Sequence, residues 1–203
     1  MRSNQKVRYL LAAALLAAAA TSLVVALART GRPASTPAAA PTRGAGAQPP
    51  VGTSSNVLAA RFAVLSGRHS NECALRPQSV DSLAVDGRLQ GSCCTPMVFA
   101  HYAQQLRSLA GYRAVAQVPR DPYDIPVAQA KQLLTYDREI TFTAAQQAVY
   151  HKAMRLAHEH GPCCCHCWRW SAFEGQAHYL IGQRSYDARQ IATVWDLEDG
   201  CGG

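Results

Sequence analysis

The first 55 residues of this 203-residue chain contain no acidic residue, although the chain as a whole contains 13. The same segment holds six of the 20 basic residues and therefore most of the formal net charge of +7. The remaining residues, with 14 basic and 13 acidic side chains, have a net charge of only +1. Because electrostatic binding to nucleic acid needs a concentrated positive charge, the near-neutral remainder argues against nucleic acid as a partner.

The chain also lacks the short motifs of several enzyme classes. G-x-S-x-G, H-E-x-x-H and the P-loop are absent, and the His158–His160 run lacks the i, i+4 spacing that puts two ligands on one helix face. A c-type haem needs C-x-x-C-H, and Pro162 stands where its first Cys would be. These absences exclude haem attachment and make an enzyme a minor hypothesis.

Residues 1–28 have the pattern of an export segment. Three basic residues precede an uncharged run of 20 residues, Tyr9 to Ala28, that is rich in Leu, Ala and Val. This run fits a cleaved secretory signal, with a small-x-small pattern at its end, and it equally fits a retained anchor that binds the membrane. In both cases the positive-inside rule predicts that the rest of the chain is extracytoplasmic, exported or anchored outside the cytoplasm.

The composition predicts a tether and one helical domain. Residues 29–55 are rich in Pro, Gly and Ala, which is typical of a disordered linker, and residues 56–203 have the length of one domain. Helical spacing and end signals predict a mostly α, small helical bundle with Cys-rich loops between its helices, and strand-like alternation is absent. The expected helices cover 57–66, 96–110, 126–134, 144–160, 171–182 and 187–198, with N-terminal caps at Thr95, Thr143 and Ser171.

Six of the eight cysteines lie in two short runs, and the denser run reads Pro162-Cys-Cys-Cys-His-Cys-Trp168. Alternate residues of an extended segment point the same way, so Cys163, Cys165 and Cys167 are expected to face one metal ion. Cys164 and His166 would face the other side. Thiolates favour Cu(I) and Zn(II), and imidazole favours Zn and Cu. Either ion is therefore a candidate cofactor.

The second run, Cys93-Cys94, precedes the predicted helix start at Thr95. Helix N-termini and nearby cations lower thiol pKa values, and Arg169 supplies a cation next to the first run. If the two loops meet at one end of the bundle, Cys93 and Cys94 join Cys164 and His166 as second-choice ligands. His158 and His160 could add nitrogen ligands, and Trp168 and Trp170 could shield the sulfur atoms.

A disulfide framework is the main alternative, because exported domains with an even number of cysteines are usually disulfide-bonded. Cys73 and Cys201 are isolated in the sequence and are expected to form a disulfide, either with each other or with a member of the runs. Cys164 and Cys167 have C-x-x-C spacing. They could instead carry out thiol-disulfide exchange in such a stapled domain.

The segment Pro162, Cys163, Cys165 and Cys167, preceded by AVYHKAMRLAHEHG, resembles the exported bacterial proteins with a P-C-Y-C-G-C motif. Cys164 replaces the Tyr of that motif, and His166 replaces its first Gly. The resemblance implies an extracytoplasmic, membrane-associated protein of poorly defined function. Since both departures add possible ligands, the sequence favours extracytoplasmic binding of Cu(I) or Zn(II) for storage, transfer or detoxification.

Overall fold

A computed structural model describes residues 51–202, so the predicted signal or anchor (1–28) and residues 29–50 of the predicted tether lie outside the described residues. No helix in the described range is long and apolar enough to cross a membrane. The elements are α1 (Val51–Ser66), α2 (Pro77–Asp81), β1 (Arg88–Gln90), α3 (Phe99–Leu109), a 3-10 turn (Ala110–Tyr112), β2 (Asp124–Pro126), α4 (Val127–Glu139), α5 (Ala144–Leu156), α6 (Trp168–Arg184) and α7 (Ala188–Leu197).

The mostly helical fold predicted from the sequence is confirmed, with differences at the start of α1 and in a short pair of strands. Helix α1 begins at Val51, so residues 51–55 are helical although the composition predicted a tether there. Strands β1 and β2 form a short antiparallel pair that the sequence analysis did not predict. Each strand has only three residues, which is too short for alternation to be recognised, and the pair is anchored by the buried side chains Leu89 and Ile125.

Helix α6 lies at the centre of the domain and packs against α2, α4, α5 and α7. Its buried side chains include Trp168, Phe173 and Leu180. Gly175 allows the backbone of α4 to come close, because a Cβ atom at this position would lie 2.0 Å from the carbonyl oxygen of Leu133. Burial of this apolar surface, at roughly 25 cal/mol per Å², is the main stabilising contribution to the helical region.

Two predicted helix starts are confirmed. Thr143 caps α5 and Asp187 caps α7, each in a reciprocal capping box with the Gln three residues later. Helix α5 ends at Leu156, four residues before the predicted end. The local signals at these two starts are therefore sufficient to define them.

The predicted caps at Thr95 and Ser171 are wrong. Helix α3 begins at Phe99, because the Thr95 hydroxyl donates to the carbonyl of Cys201 rather than capping a helix. Helix α6 begins at Trp168, so Ser171 lies inside it. The Trp168 backbone N–H donates to the Leu75 carbonyl, which satisfies a group at the helix start through a tertiary contact.

Candidate metal centre

All eight cysteines meet in one cluster, although they come from four separate segments of the chain. Cys73 lies between α1 and α2, and Cys93 and Cys94 lie between β1 and α3. Cys201 follows α7. The loop between α5 and α6 supplies the other four thiols, Cys163, Cys164, Cys165 and Cys167. All eight are free thiols in the structure.

Backbone hydrogen bonds hold these segments together. The Cys73 N–H donates to the Cys93 carbonyl (3.3 Å), and the Cys93 N–H donates to the Gly200 carbonyl (2.8 Å). The Thr95 N–H and hydroxyl both donate to the Cys201 carbonyl, at 2.8 and 2.6 Å. The positions of the thiols therefore follow from main-chain contacts between loops, which satisfy polar groups that would otherwise be buried without partners.

The thiols form three groups that share members. Cys93 and Cys165 belong to both four-thiol groups, and Cys94 links one of these to the three-thiol group. In each group all ligand atoms lie within 4.8 Å of one another. The groups are Cys73, Cys93, Cys94 and Cys165; Cys93, Cys163, Cys165 and Cys167; and Cys94, Cys164 and Cys201.

The sulfur separations range from 2.7 to 3.9 Å, and those from Cys93 to Cys165 and Cys167 are of the size that a metal-thiolate site requires. A tetrahedral Zn(II) site with Zn–S bonds of about 2.3 Å has sulfur atoms about 3.8 Å apart. The Sγ atom of Cys93 lies 3.8 Å from that of Cys165 and 3.7 Å from that of Cys167. The shortest separation, 2.7 Å between Cys164 and Cys201, is still well beyond a disulfide bond length of about 2.05 Å.

The predicted ligands of the dense run divide between two places. Cys163, Cys165 and Cys167 lie in one group with Cys93, whereas Cys164 lies beside Cys94 and Cys201. His166 is outside all three groups: its ring stacks on Trp170 with the centroids 3.9 Å apart. Cys164 and Cys167, the C-x-x-C pair of the thiol-exchange hypothesis, share no group.

Cys73 and Cys201 lie among the other cysteines, and the predicted contact between them is not among the sulfur contacts of the described chain. The Sγ atom of Cys73 is 2.9 Å from that of Cys165, and the Sγ atom of Cys201 is 2.7 Å from that of Cys164. The sequence analysis missed both as candidate metal ligands, because nothing adjacent in the chain marks them. The one available signal was that the same chain contains two runs of cysteines, which these two residues could join as ligands.

A fully buried arginine lies beside the thiols. The Arg169 guanidinium donates to the carbonyls of Pro122 (2.8 Å) and Glu198 (2.6 Å), and no carboxylate among the described residues forms an ion pair with it. Gly200 passes directly over it, since a Cβ atom there would lie 2.5 Å from the guanidinium carbon. Burying an unpaired cation is costly, so this arrangement calls for nearby negative charge.

The thiols are the source of that charge. Burial lowers the pKa of Arg169, but the negative charge of neighbouring thiolates, Cys163 first among them, raises it more and keeps the guanidinium protonated. In turn, hydrogen bonds from Cys167, Cys201 and Cys93, assisted by Arg169, hold the pKa of Cys163 far below its usual value. These contacts favour the thiolate of Cys163, which is the form that binds metal.

The other thiols differ in their proton affinity. Burial opposes ionisation of Cys73, but hydrogen bonds from Cys165 and Cys93 lower its pKa overall. Burial raises the pKa of Cys164 to about 12, despite an opposing hydrogen bond with Cys201. A proton must leave most members of the cluster before they bind an ion, so metal affinity should increase with pH.

One side of the cluster opens into a cavity of about 610 Å³. Two exposed thiols, Cys94 and Cys164, reach this cavity together with Cys201. His101 and His158 line the same cavity. Cys93, Cys163 and Cys167 are buried. The cluster thus has both accessible and protected thiols.

In comparisons with known proteins, no family model, no curated protein and no solved structure matches the chain.

Proposed function

We propose that the domain binds Cu(I) or Zn(II) in one polynuclear thiolate cluster and serves in storage, transfer or detoxification of that metal. The observation that carries this proposal is the sharing of Cys93, Cys94 and Cys165 between thiol groups. A disulfide uses each sulfur atom once, whereas a thiolate can bridge two soft metal ions. Shared positions are therefore expected of a metal cluster and are unexpected of a set of four disulfides.

The buried Arg169 supports the same conclusion through its charge. Disulfide formation would remove the negative charge of the neighbouring thiolates and leave the guanidinium with two carbonyl acceptors, from Pro122 and Glu198, and the face of the Phe173 ring. Eight thiolates around three metal ions carry a net negative charge with either Cu(I) or Zn(II). A buried cation next to such a cluster is stabilised, because its charge is compensated.

The cavity favours exchange of metal over permanent structural binding. Cys94 and Cys164 are exposed at its wall, where an incoming ion or a donor thiol can reach them. Thiophilic ions pass between thiolates by ligand exchange. An ion bound first by these two residues is next to Cys165, whose Sγ atom is 3.9 Å from that of Cys94. Metal can therefore move inward by stepwise exchange of ligands.

The place of action is part of the proposal and rests on the sequence. The basic, then apolar, segment 1–28 and the resemblance of Pro162–Cys167 to the P-C-Y-C-G-C proteins both favour export. We therefore place this metal binding outside the cytoplasm. The membrane is a partner if the segment is retained.

Anaerobic titration of the reduced protein with Cu(I) or Zn(II), against a chelator of known affinity, tests the proposal. We expect three ions per chain, one for each thiol group. Cys93→Ser should remove two ions, because Cys93 belongs to two groups, whereas the matched Cys164→Ser should remove one, because Cys164 belongs to one. Absence of binding to the wild-type protein, or equal losses in the two variants, would contradict the shared cluster.

A further inference from the structure

A second group of possible metal ligands lies on helices α4 and α6, apart from the thiols. Asp137 is on α4, and Glu174 and His178 are on α6, four residues apart and hence on one face of that helix. The close approach of the two helices at Gly175 brings Asp137 to this face. The ligand atoms of the three residues all lie within 4.8 Å of one another.

The polar atoms of this group are poorly satisfied by the protein itself. His178 Nδ1 is buried and has no hydrogen-bond partner in the described part of the chain. Neither carboxylate forms an ion pair with the imidazole among these residues. A buried polar atom without a partner is rare in folded proteins and points to a missing ligand. One ring nitrogen of the same imidazole lies within 4.8 Å of carboxylate oxygens of Asp137 and Glu174, so a cation is the ligand that suits this group.

The surroundings orient the three side chains. The Tyr150 hydroxyl donates to Glu174 Oε1 at 2.8 Å, which fixes that carboxylate and leaves its other oxygen free. The ring of Phe142 packs edge-on against His178, with the centroids 4.4 Å apart. Such neighbours, which hold a ligand in place without touching the ion, are a regular part of metal sites.

Charge favours a cation at the same point. Burial and the negative charge of Glu174 raise the pKa of Asp137, because two carboxylates close together disfavour each other's ionisation. A divalent ion between them relieves this repulsion. With metal-oxygen bonds of about 2.1 Å, neighbouring ligand atoms lie about 3 Å apart and opposite ones about 4 Å apart, which matches the spread of this group.

We propose that Asp137, Glu174 and His178 form a second cation site, which takes a divalent ion of the Mn(II) class. Two carboxylates and one imidazole are harder ligands than thiolates and suit Mn(II) better than Cu(I). All three side chains are half-buried, so water can complete the coordination. The site is chemically distinct from the thiol cluster, and its existence does not depend on the function proposed for the cysteines.

Titration of the reduced full chain with Mn(II), followed by the electron paramagnetic resonance signal of the free ion, tests this site. Thiolates bind Mn(II) poorly, so the titration reports on the carboxylate site whether or not the cysteines bind metal. We expect one Mn(II) per chain. Asp137→Asn should weaken this binding at least tenfold, whereas Glu139→Gln, which removes an exposed carboxylate from the same helix, should leave it unchanged.

His178→Gln provides a second variant, which keeps both carboxylate side chains and removes only the imidazole. Circular dichroism checks whether Asp137→Asn and His178→Gln are folded. Mn(II) binding is then compared with the wild type for each variant that is folded. Equal binding by the folded variant, Glu139→Gln and the wild type would overturn the proposal, because the ion would then be bound elsewhere. Failure of the wild-type chain to bind Mn(II) would overturn it as well.

Discussion

The helical region around α4, α5 and α6 and the cysteine cluster are built by different means. The helices are held by buried apolar side chains such as Leu133 and Leu180 and by local caps such as Thr143. The cluster is built from irregular segments, and hydrogen bonds between loops position its thiols around the buried cation Arg169. The comparison teaches that apolar burial is enough to favour the packing of the helices, whereas the arrangement of the cluster becomes favourable when the thiols carry negative charge and bind metal.

Replacement of the buried cation should show the largest difference between the two regions, because its effect on stability should depend on bound metal. Arg169→Met is expected to lower the free energy of unfolding of the metal-bound protein by about 3 to 5 kcal/mol, because it leaves the anionic cluster without its buried counter-charge. The metal-free reduced protein should lose much less, since most of its thiols are neutral. Denaturant unfolding with and without metal measures this difference.

Arg184→Met, a change at an exposed position in the last turn of the same helix, serves as the control for the arginine replacement. It should cost less than about 1 kcal/mol in both states, because only a favourable helix-end charge is lost. An equal loss of stability in Arg169→Met with and without metal would show that the guanidinium acts by packing alone.

A cavity in the helical core, in contrast, should lower the stability of the protein by an amount that does not depend on metal. Leu180 is fully buried in α6, away from the thiols, and Leu180→Ala should cost about 3 kcal/mol through lost burial and the cavity left behind. The loss should be the same with and without metal. A metal titration of this variant should still reach the wild-type stoichiometry, and a reduced stoichiometry would mean that the two regions are coupled.

The buried carboxyl of Glu198 provides a further test, because it makes the stability of the protein depend on pH. Burial raises its pKa well above the ordinary value of 4.5, although a hydrogen bond from Gln176 and the charge of Arg169 oppose this. The folded protein therefore holds a proton that the unfolded chain releases above about pH 4.5. Stability should decrease as the pH rises from that value towards the folded-state pKa.

Glu198→Gln removes this proton and should reduce the loss of stability that the wild type shows as the pH rises above about 4.5. The comparison uses the metal-free protein, so that pH-dependent metal binding does not contribute, and the titration of the thiols is common to the variant and the wild type. Glu139→Gln is the control, because that side chain is exposed and should leave the pH dependence unchanged. An unaltered slope in Glu198→Gln would contradict the buried, protonated carboxyl.

The same comparison explains what could be predicted from the sequence. The starts of α5 and α7 were predictable because the capping boxes of Thr143 and Asp187 involve residues three positions apart. Thr95 carries a similar local signal, but its hydroxyl binds the Cys201 carbonyl, more than 100 residues away. Local patterns predict an element only where no distant group competes for the same atoms.

The candidate site likewise has one part that local sequence predicts and one part that it does not. The alternation of Cys163, Cys165 and Cys167 is a local property, and these residues lie together in one group. The membership of Cys73 and Cys201 depends on loop contacts that no spacing encodes, such as the hydrogen bond between the Cys73 N–H and the Cys93 carbonyl. His166 matched the chemistry of a ligand, but its ring stacks on Trp170, so the aromatic contact determines its position.

Native mass spectrometry of protein produced by export, with and without a chelator, tests the central claim most directly. It reports bound metal and the oxidation state of the cysteines in the same molecule. We predict three thiophilic metal ions and eight reduced cysteines per chain, with the metal removed by the chelator. A metal-free mass that corresponds to fully disulfide-bonded cysteines would contradict the shared thiolate cluster.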